Sequence, residues 1–224
     1  MSPATPEVIW RPPPDLIGKM PMDVYRQHIN KKFSLSLKTT QELHSWTVAN
    51  QQPFWLDVYS YLELVPPLPA GITRAYDESL PMSSIPPFFE GLELNYTENV
   101  LENAKRHPKN VALIGLREGQ DLDGEVEKVT WRELKERVRK ASNALRSSSV
   151  RKGDVVAALV SNSIEAVTLF LSTAAVGAVF TSISPDLGVE VCRRAVSGWP
   201  GSAARAILTS RLTAYRVASP DYNK

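Results

Sequence analysis

Residues 155–183 read VVAALVSNSIEAVTLFLSTAAVGAVFTSI, and this stretch decides the fold. Residues 155–160 form a continuous apolar run, the pattern of a strand covered on both faces. Asn162 and Glu165 stand at capping-box spacing, which predicts a helix opening there and continuing through Leu171. Gly177 breaks that helix before a second apolar strand over 178–183. Strand, helix and strand joined by short links make a βαβ unit, whose strands must be parallel. The fold class is therefore α/β with a largely parallel sheet. Residues 166–183 also run for 18 positions without a charge, which imitates a membrane span. They include Gly177 and the hydroxyls of Ser172, Thr173, Thr181 and Ser182, and they divide into helix and strand. A buried helix–strand unit is the expectation.

Upstream, the same alternation begins at Asn95. Thr97 is expected to cap a helix through Val100, Leu101 and Ala104, which His107-Pro108 stops. Residues 111–116 read as a short strand, Asp123-Gly124 as a hairpin turn, and 126–129 as the returning strand. Thr130 and Glu133 form a capping box for a helix with Leu134, Val138, Ala141 and Leu145 on one face. Farther back the composition changes. Thirteen of the 17 prolines lie in the first 87 residues, so this region is expected to be extended segments broken by short helices. One helix should start at Asp23 and carry Val24, Tyr25 and Ile29. A second follows the Thr39–Glu42 capping box. A third covers 54–64, with Phe54, Trp55, Val58, Tyr59 and Leu62 on its apolar face. Trp46 and Trp55 are expected to be packing anchors.

Charge and chemistry exclude more than they suggest. A formal net charge of +2 argues against nucleic acid as a partner. After residue 190 the balance changes, with six basic residues against one acid, Asp221. Cys192 is the single cysteine, which excludes an intramolecular disulfide and fits a reducing, cytoplasmic setting. His28, His44 and His107 have no ligand spacing, so no metal site is expected. The start lacks the basic segment and apolar run of a signal peptide. There is no GxxxxGK[ST], GxGxxG or GxSxG. Ser147 to Gly153 offers donors and a cation, but it leaves a helix instead of opening one and reads as a solvated turn. Asn95-Tyr96-Thr97 matches a glycosylation sequon yet reads as a helix start.

Several segments, taken in order, resemble one family. Trp10-Arg11-Pro12, Ser45-Trp46-Thr47-Val48 and Phe54-Trp55 resemble the amino-terminal extension of the adenylate-forming acyl-CoA synthetases. Asn95-Tyr96-Thr97-Glu98-Asn99-Val100-Leu101 resembles the opening of their large AMP-binding domain. Val129-Thr130-Trp131-Arg132-Glu133-Leu134, Gly153-Asp154-Val155-Val156 and Gly177-Ala178-Val179-Phe180 follow in the family's order. Ser184-Pro185-Asp186-Leu187-Gly188-Val189-Glu190 most resembles the acetoacetyl-CoA branch. The resemblance covers about residues 8–190.

It implies the incomplete amino-terminal part of an adenylate-forming-enzyme fold, preceded by a proline-rich, mostly helical extension. The expected divisions are 1–94 for the extension, 95–190 for the first α/β portion of the AMP-binding domain, and 191–224 for a divergent basic tail. Within that tail Ala206–Thr209 reads as a strand, and the remainder is expected to be weakly ordered. For a complete enzyme the resemblance implies ATP, Mg²⁺, CoA and a carboxylate substrate, with an acyl-adenylate formed first and its AMP then displaced by the thiol. The family's phosphate loop and catalytic lysine have no counterpart here, so no catalytic residue is assigned. Phe180, Thr181 and Ser182 resemble the strand-end segment near the CoA nucleotide, although the relatives carry Phe-Gly-Gly. Arg216 stands where a CoA-phosphate arginine is found. Two expectations follow. The chain is a fragment or one half of a split ligase, with a complementary carboxyl-terminal half, or it is a non-catalytic remnant or interaction module prone to self-association. No membrane partner is expected.

Overall fold

The computed structural model describes residues 9, 11, 13–84, 87–116, 126–187, 206–209 and 214–215. The chain divides into two compact units, Met1–Leu92 and Glu93–Lys224.

The first unit is built on three helices, α1 (Pro21–Phe33), α2 (Thr40–Ala49) and α3 (Gln51–Tyr61). Helix α1 does not start at Asp23 as expected. Pro21 takes the first helical position and Met20 the cap, because proline's fixed φ suits that position and its missing N–H costs nothing there. Asp23 instead lies in the first turn, where its carboxylate accepts from Gly18 N at 3.1 Å and Arg26 Nη2 at 3.0 Å. Helix α2 opens as the capping box predicts. Thr39 Oγ1 accepts from Glu42 N at 3.1 Å and Glu42 Oε2 accepts from Thr39 N at 3.2 Å. Helix α3 starts three residues before Phe54, since Pro53 is tolerated within a first turn. Its buried positions are Asp57 and Tyr59, whereas Trp55 and Leu62, both expected on the apolar face, are exposed at 37% and 54%. Tyr25, Ile29 and Leu43 form the core between the helices, with Phe33, Trp46, Phe54 and Val58 against it. Trp46 packs on Phe33 and Trp55 on Phe54 and Phe88, with ring centroids 5.0–5.2 Å apart.

The second unit opens with α4 (Tyr96–Leu101) and α5 (Asn103–Arg106). Here Asn95, two residues before the expected cap at Thr97, does the capping: its Oδ1 accepts from Glu98 N at 3.1 Å. Thr97 is buried and donates to Leu171 O at 2.6 Å, so its hydroxyl serves a tertiary contact. Strands β1 (Val111–Gly115) and β2 (Glu127–Thr130) pair antiparallel; the expected Asp123-Gly124 turn lies outside the described residues. Helix α6 (Trp131–Ser147) begins with the predicted reciprocal cap of Thr130 and Glu133. It buries Leu134, Val138 and Leu145 as expected, but Ser142 is more deeply buried than Ala141.

Then comes the βαβ unit, β3 (Val155–Leu159), α7 (Ile164–Val176) and β4 (Val179–Ile183). Strands β3 and β4 run parallel, from Val155 opposite Val179 to Leu159 opposite Ile183. Ser163, not Asn162, caps α7: its Oγ accepts from Ala166 N at 3.2 Å. With the cap one residue later, Ala166 occupies the third helical position and Glu165 cannot complete a reciprocal box. Ser142 Oγ donates to Ser172 O at 3.3 Å, and Ser172 Oγ lies 3.3 Å from Val138 O and 2.6 Å from Thr168 O. These small hydroxyl residues let α6 and α7 approach closely without stranding a buried polar atom. β5 (Ala206–Thr209) pairs parallel with β3 on the side opposite β4, and β6 (Ala214–Tyr215) pairs antiparallel with β5. The strand order is β4-β3-β5-β6. All of Val155, Val156, Ala157 and Ala158 are buried, as a strand with both edges paired and both faces covered must be. Among the described residues, no helix is long and apolar enough to cross a membrane.

Candidate functional site

In open parallel sheets, ligands bind beyond the carboxyl ends of the strands, where successive connections diverge. Here β4 and β5 flank β3, so the divergence falls at β3. Leu159, Ile183 and Thr209 stand level at that end. Val160 N donates to Ile183 O at 3.2 Å and closes the edge. Beyond it lie the Ser163 cap of α7 and the turn in which Ser184 Oγ donates to Asp186 Oδ2 at 3.1 Å. The rim therefore offers hydroxyls, one amide and one carboxylate. It has no lysine or arginine within 159–163 or 183–187. These described segments can hydrogen-bond a neutral or sugar-like group.

The three residues singled out on β4 divide between its two faces, because successive side chains of a strand point oppositely. Phe180 and Ser182 share one face and Thr181 takes the other. Phe180 is half-buried against the cluster of Leu145, Val156 and Leu169, and its ring meets Phe170 edge-on at 5.6 Å. Phe170 in turn lies against Tyr96, the two rings tilted with centroids 5.6 Å apart. Thr181 is half-buried opposite Ala157, and Ser182 is exposed opposite Ala158. Phe180 is thus engaged in packing, and Ser182 is the side chain of the three that stands open to solvent. Arg216 lies outside the described residues, as does Cys192.

A second cluster went unnoticed in the sequence. On α3, the Asp57 side chain is 1% exposed. Tyr25 Oη donates to its Oδ2 at 3.0 Å, and Lys32 Nζ donates to Oδ1 at 2.6 Å. His28 Nε2 lies 3.0 and 3.2 Å from the two oxygens. Burial alone pushes the Asp57 carboxyl up, but the hydrogen bonds from Lys32, His28 and Tyr25 outweigh it and hold the group below the ordinary carboxylate value. Burial first, then the neighbouring Asp57 charge, pushes the Tyr25 hydroxyl up. One signal could have pointed here: Tyr25, His28 and Lys32 recur at one-turn spacing along a single face of α1. Among the described residues, no group of three His, Cys, Asp or Glu side chains is placed to hold a metal.

Comparison with known proteins adds the family context. The sequence model of the family described as AMP-binding enzyme matches residues 100–219, extending past residue 190, where the segment-by-segment resemblance ended. The acetoacetyl-CoA synthetase of Macaca fascicularis is 35% identical over 190 residues, covering 82% of this chain and 26% of that protein. A malonamoyl-CoA synthetase from Penicillium aethiopicum is 33% identical over 198 residues, covering 84% and 25%. Among solved structures, the acetoacetyl-CoA synthetase of Streptomyces lividans superposes with a TM-score of 0.74 at 27% identity, over 91% of this chain and 30% of that one. The chain spans about a quarter of the length of the curated relatives it matches. Its α/β fold is that of the amino-terminal part of the adenylate-forming enzyme.

Proposed function

The chain belongs to the AMP-binding enzyme family, and from that premise we propose that it is the amino-terminal part of an acetoacetyl-CoA-type synthetase, inactive by itself. The observation that carries this reading is continuous similarity over 82% of the chain to only 26% of the relative. In the complete enzyme, ATP, Mg²⁺, a carboxylate and CoA come together, and positioned charges supply most of the catalysis at the phosphorus centre. This sequence has no phosphate loop, and its described residues hold no acid cluster fit for Mg²⁺. We therefore assign ATP and Mg²⁺ to the parts of the fold beyond this quarter. Toward CoA, the chain would contribute the open Ser182 on β4 and Arg216 of the basic tail, while Phe180 braces the strand. The divisions at 1–94, 95–190 and 191–224 remain our reading of how extension, domain and tail follow one another. A reducing, cytoplasmic setting fits the lone Cys192.

The purified chain should show acetoacetate-dependent ATP–pyrophosphate exchange no higher than a no-enzyme control. Exchange clearly above that control would overturn the assignment of the chemistry to missing parts.

A second reading, a non-catalytic module that binds a complementary half or itself, is favoured by one observation. Tyr96 is 57% exposed, and Val167 and Phe170, one turn apart on α7, are each 37% exposed beside β4. Contiguous exposed apolar surface of this kind marks association sites. Light scattering coupled to gel filtration should show a mass that rises with protein concentration, and Phe170→Glu should suppress the rise. A monodisperse monomer at high concentration that binds no hydrophobic dye would rule this reading out.

A further inference from the structure

We propose that the grip of Tyr25, His28 and Lys32 on Asp57 is a latch that holds α1 against α3, and that loss of the Asp57 charge releases α1 while the second unit stays folded.

The geometry is one-sided. All three partners belong to α1 and recur one turn apart, and the group they converge on belongs to α3. Only one register and rotation of α1 brings the three to the same carboxylate. The remainder of α1 is held weakly on its outer side, since Met22 and Val24 are 53% and 44% exposed. Toward the core it rests on Ile29 and on ring contacts, with Tyr61 standing 4.8 Å from Tyr25 and 4.7 Å from His28, and Arg26 and Asn30 donate to Leu37 O at 2.7 and 2.9 Å.

A buried ion pair adds little net stability, because desolvation offsets the attraction, yet removing one partner leaves the others uncompensated. Asp57 is the one charged side chain among the buried polar residues described. When it is neutral, Lys32 and His28, whose side chains are 47% and 35% exposed, can turn to water. Tyr25, buried, cannot, and its hydroxyl keeps only a neutral oxygen as acceptor, a weaker bond than one to a carboxylate. The three charge-assisted contacts that tie α1 to α3 then weaken together, and α1 is left with its apolar packing and its bonds to Leu37. The groups facing Asp57 are Tyr25, His28 and Lys32 from α1, with Tyr61 of α3 beside the first two.

The direction with pH follows. Because the folded carboxyl titrates below its ordinary value of 3.8, the latch is fully engaged above that range. It is lost as pH falls through the lower, folded value.

The test is hydrogen exchange on the full chain, with protection factors normalised to intrinsic rates and compared between α1 and the helices α6 and α7. At neutral pH, Asp57→Asn should lower α1 protection by about tenfold or more while α6 and α7 keep theirs. In the wild type the same loss should appear only as pH falls below 3.8, and in Asp57→Asn α1 protection should be flat across that window. Lys32→Met, at a half-exposed position, removes one donor and should move the acid midpoint of α1 upward. Wild-type protection of α1 in Asp57→Asn would overturn the latch. So would α1, α6 and α7 losing protection together. Should Asp57→Asn fail to fold, the Lys32→Met profile decides, and an unmoved midpoint overturns the proposal.

Discussion

Leu134→Ala should destabilise the chain by about 3 kcal/mol, within the 2–5 kcal/mol range typical of leucine truncation in a packed core. The Leu134 side chain is 1% exposed and lies among Val129, Val138, Ile164 and Leu171. These neighbours come from β2, α6 and α7. The space it fills is hard to close. The start of α6 is tied by the reciprocal cap of Thr130 and Glu133, and its middle is held against α7 by Ser142 and Ser172. A cavity with walls held this way relaxes little, which places the cost above that of the lost transfer energy alone. Domains of this kind have about 5–15 kcal/mol in total, so the variant should unfold at a much lower urea concentration. A loss of less than about 1 kcal/mol of unfolding free energy would show that α6 and α7 close over the gap.

Much of the fold was legible because its signals are local. The apolar run of β3, the break at Gly177 and the second run of β4 need no distant information to be read as a parallel pair. The capping boxes at Thr39 and Thr130 were legible for the same reason. At α4 two suitable side chains stand close together and a distant contact chooses between them. Thr97 is taken by Leu171 O, 74 positions away, leaving Asn95 to cap α4 and to donate to Ala174 O at 2.8 Å. Asp57 was not legible from its own surroundings in the sequence. An aspartate in an amphipathic helix reads as solvated, and only its three partners, 25 to 32 positions back, show otherwise. The β4 segment was legible as a strand, and the alternation of Phe180, Thr181 and Ser182 across the sheet follows from that strand geometry.

The second large effect is expected at Gly177. It ends α7 with φ 78° and ψ 19°, a left-handed conformation that L-residues with a branched Cβ resist. Its N–H donates to Ala174 O and its carbonyl accepts from Gly153 N, both at 2.9 Å, so the backbone there cannot swing freely. A Cβ at this position would sit 3.2 Å from Lys152 Cγ, a contact that the flexible lysine can relieve. The cost is therefore conformational. Gly177→Val should lose about 2 kcal/mol, and Gly177→Asn, which tolerates the left-handed region, less than about 1 kcal/mol. Equal losses for the two variants, measured by urea unfolding, would show that the turn changes conformation to accept either residue.

The flanking of β3 has a consequence for synthesis. One neighbour, β4, follows within a single helix, but the other, β5, begins at Ala206, about fifty residues after β3 starts. At roughly 5–20 residues per second, several seconds separate the emergence of the strand from that of its second partner. During that interval the apolar backbone ladder of Val156 to Leu159 has one open side. A nascent chain in this state is open to mispairing with another nascent chain. Slow codons between the two strands would lengthen the exposure, and a ribosome-associated chaperone would shorten its consequences.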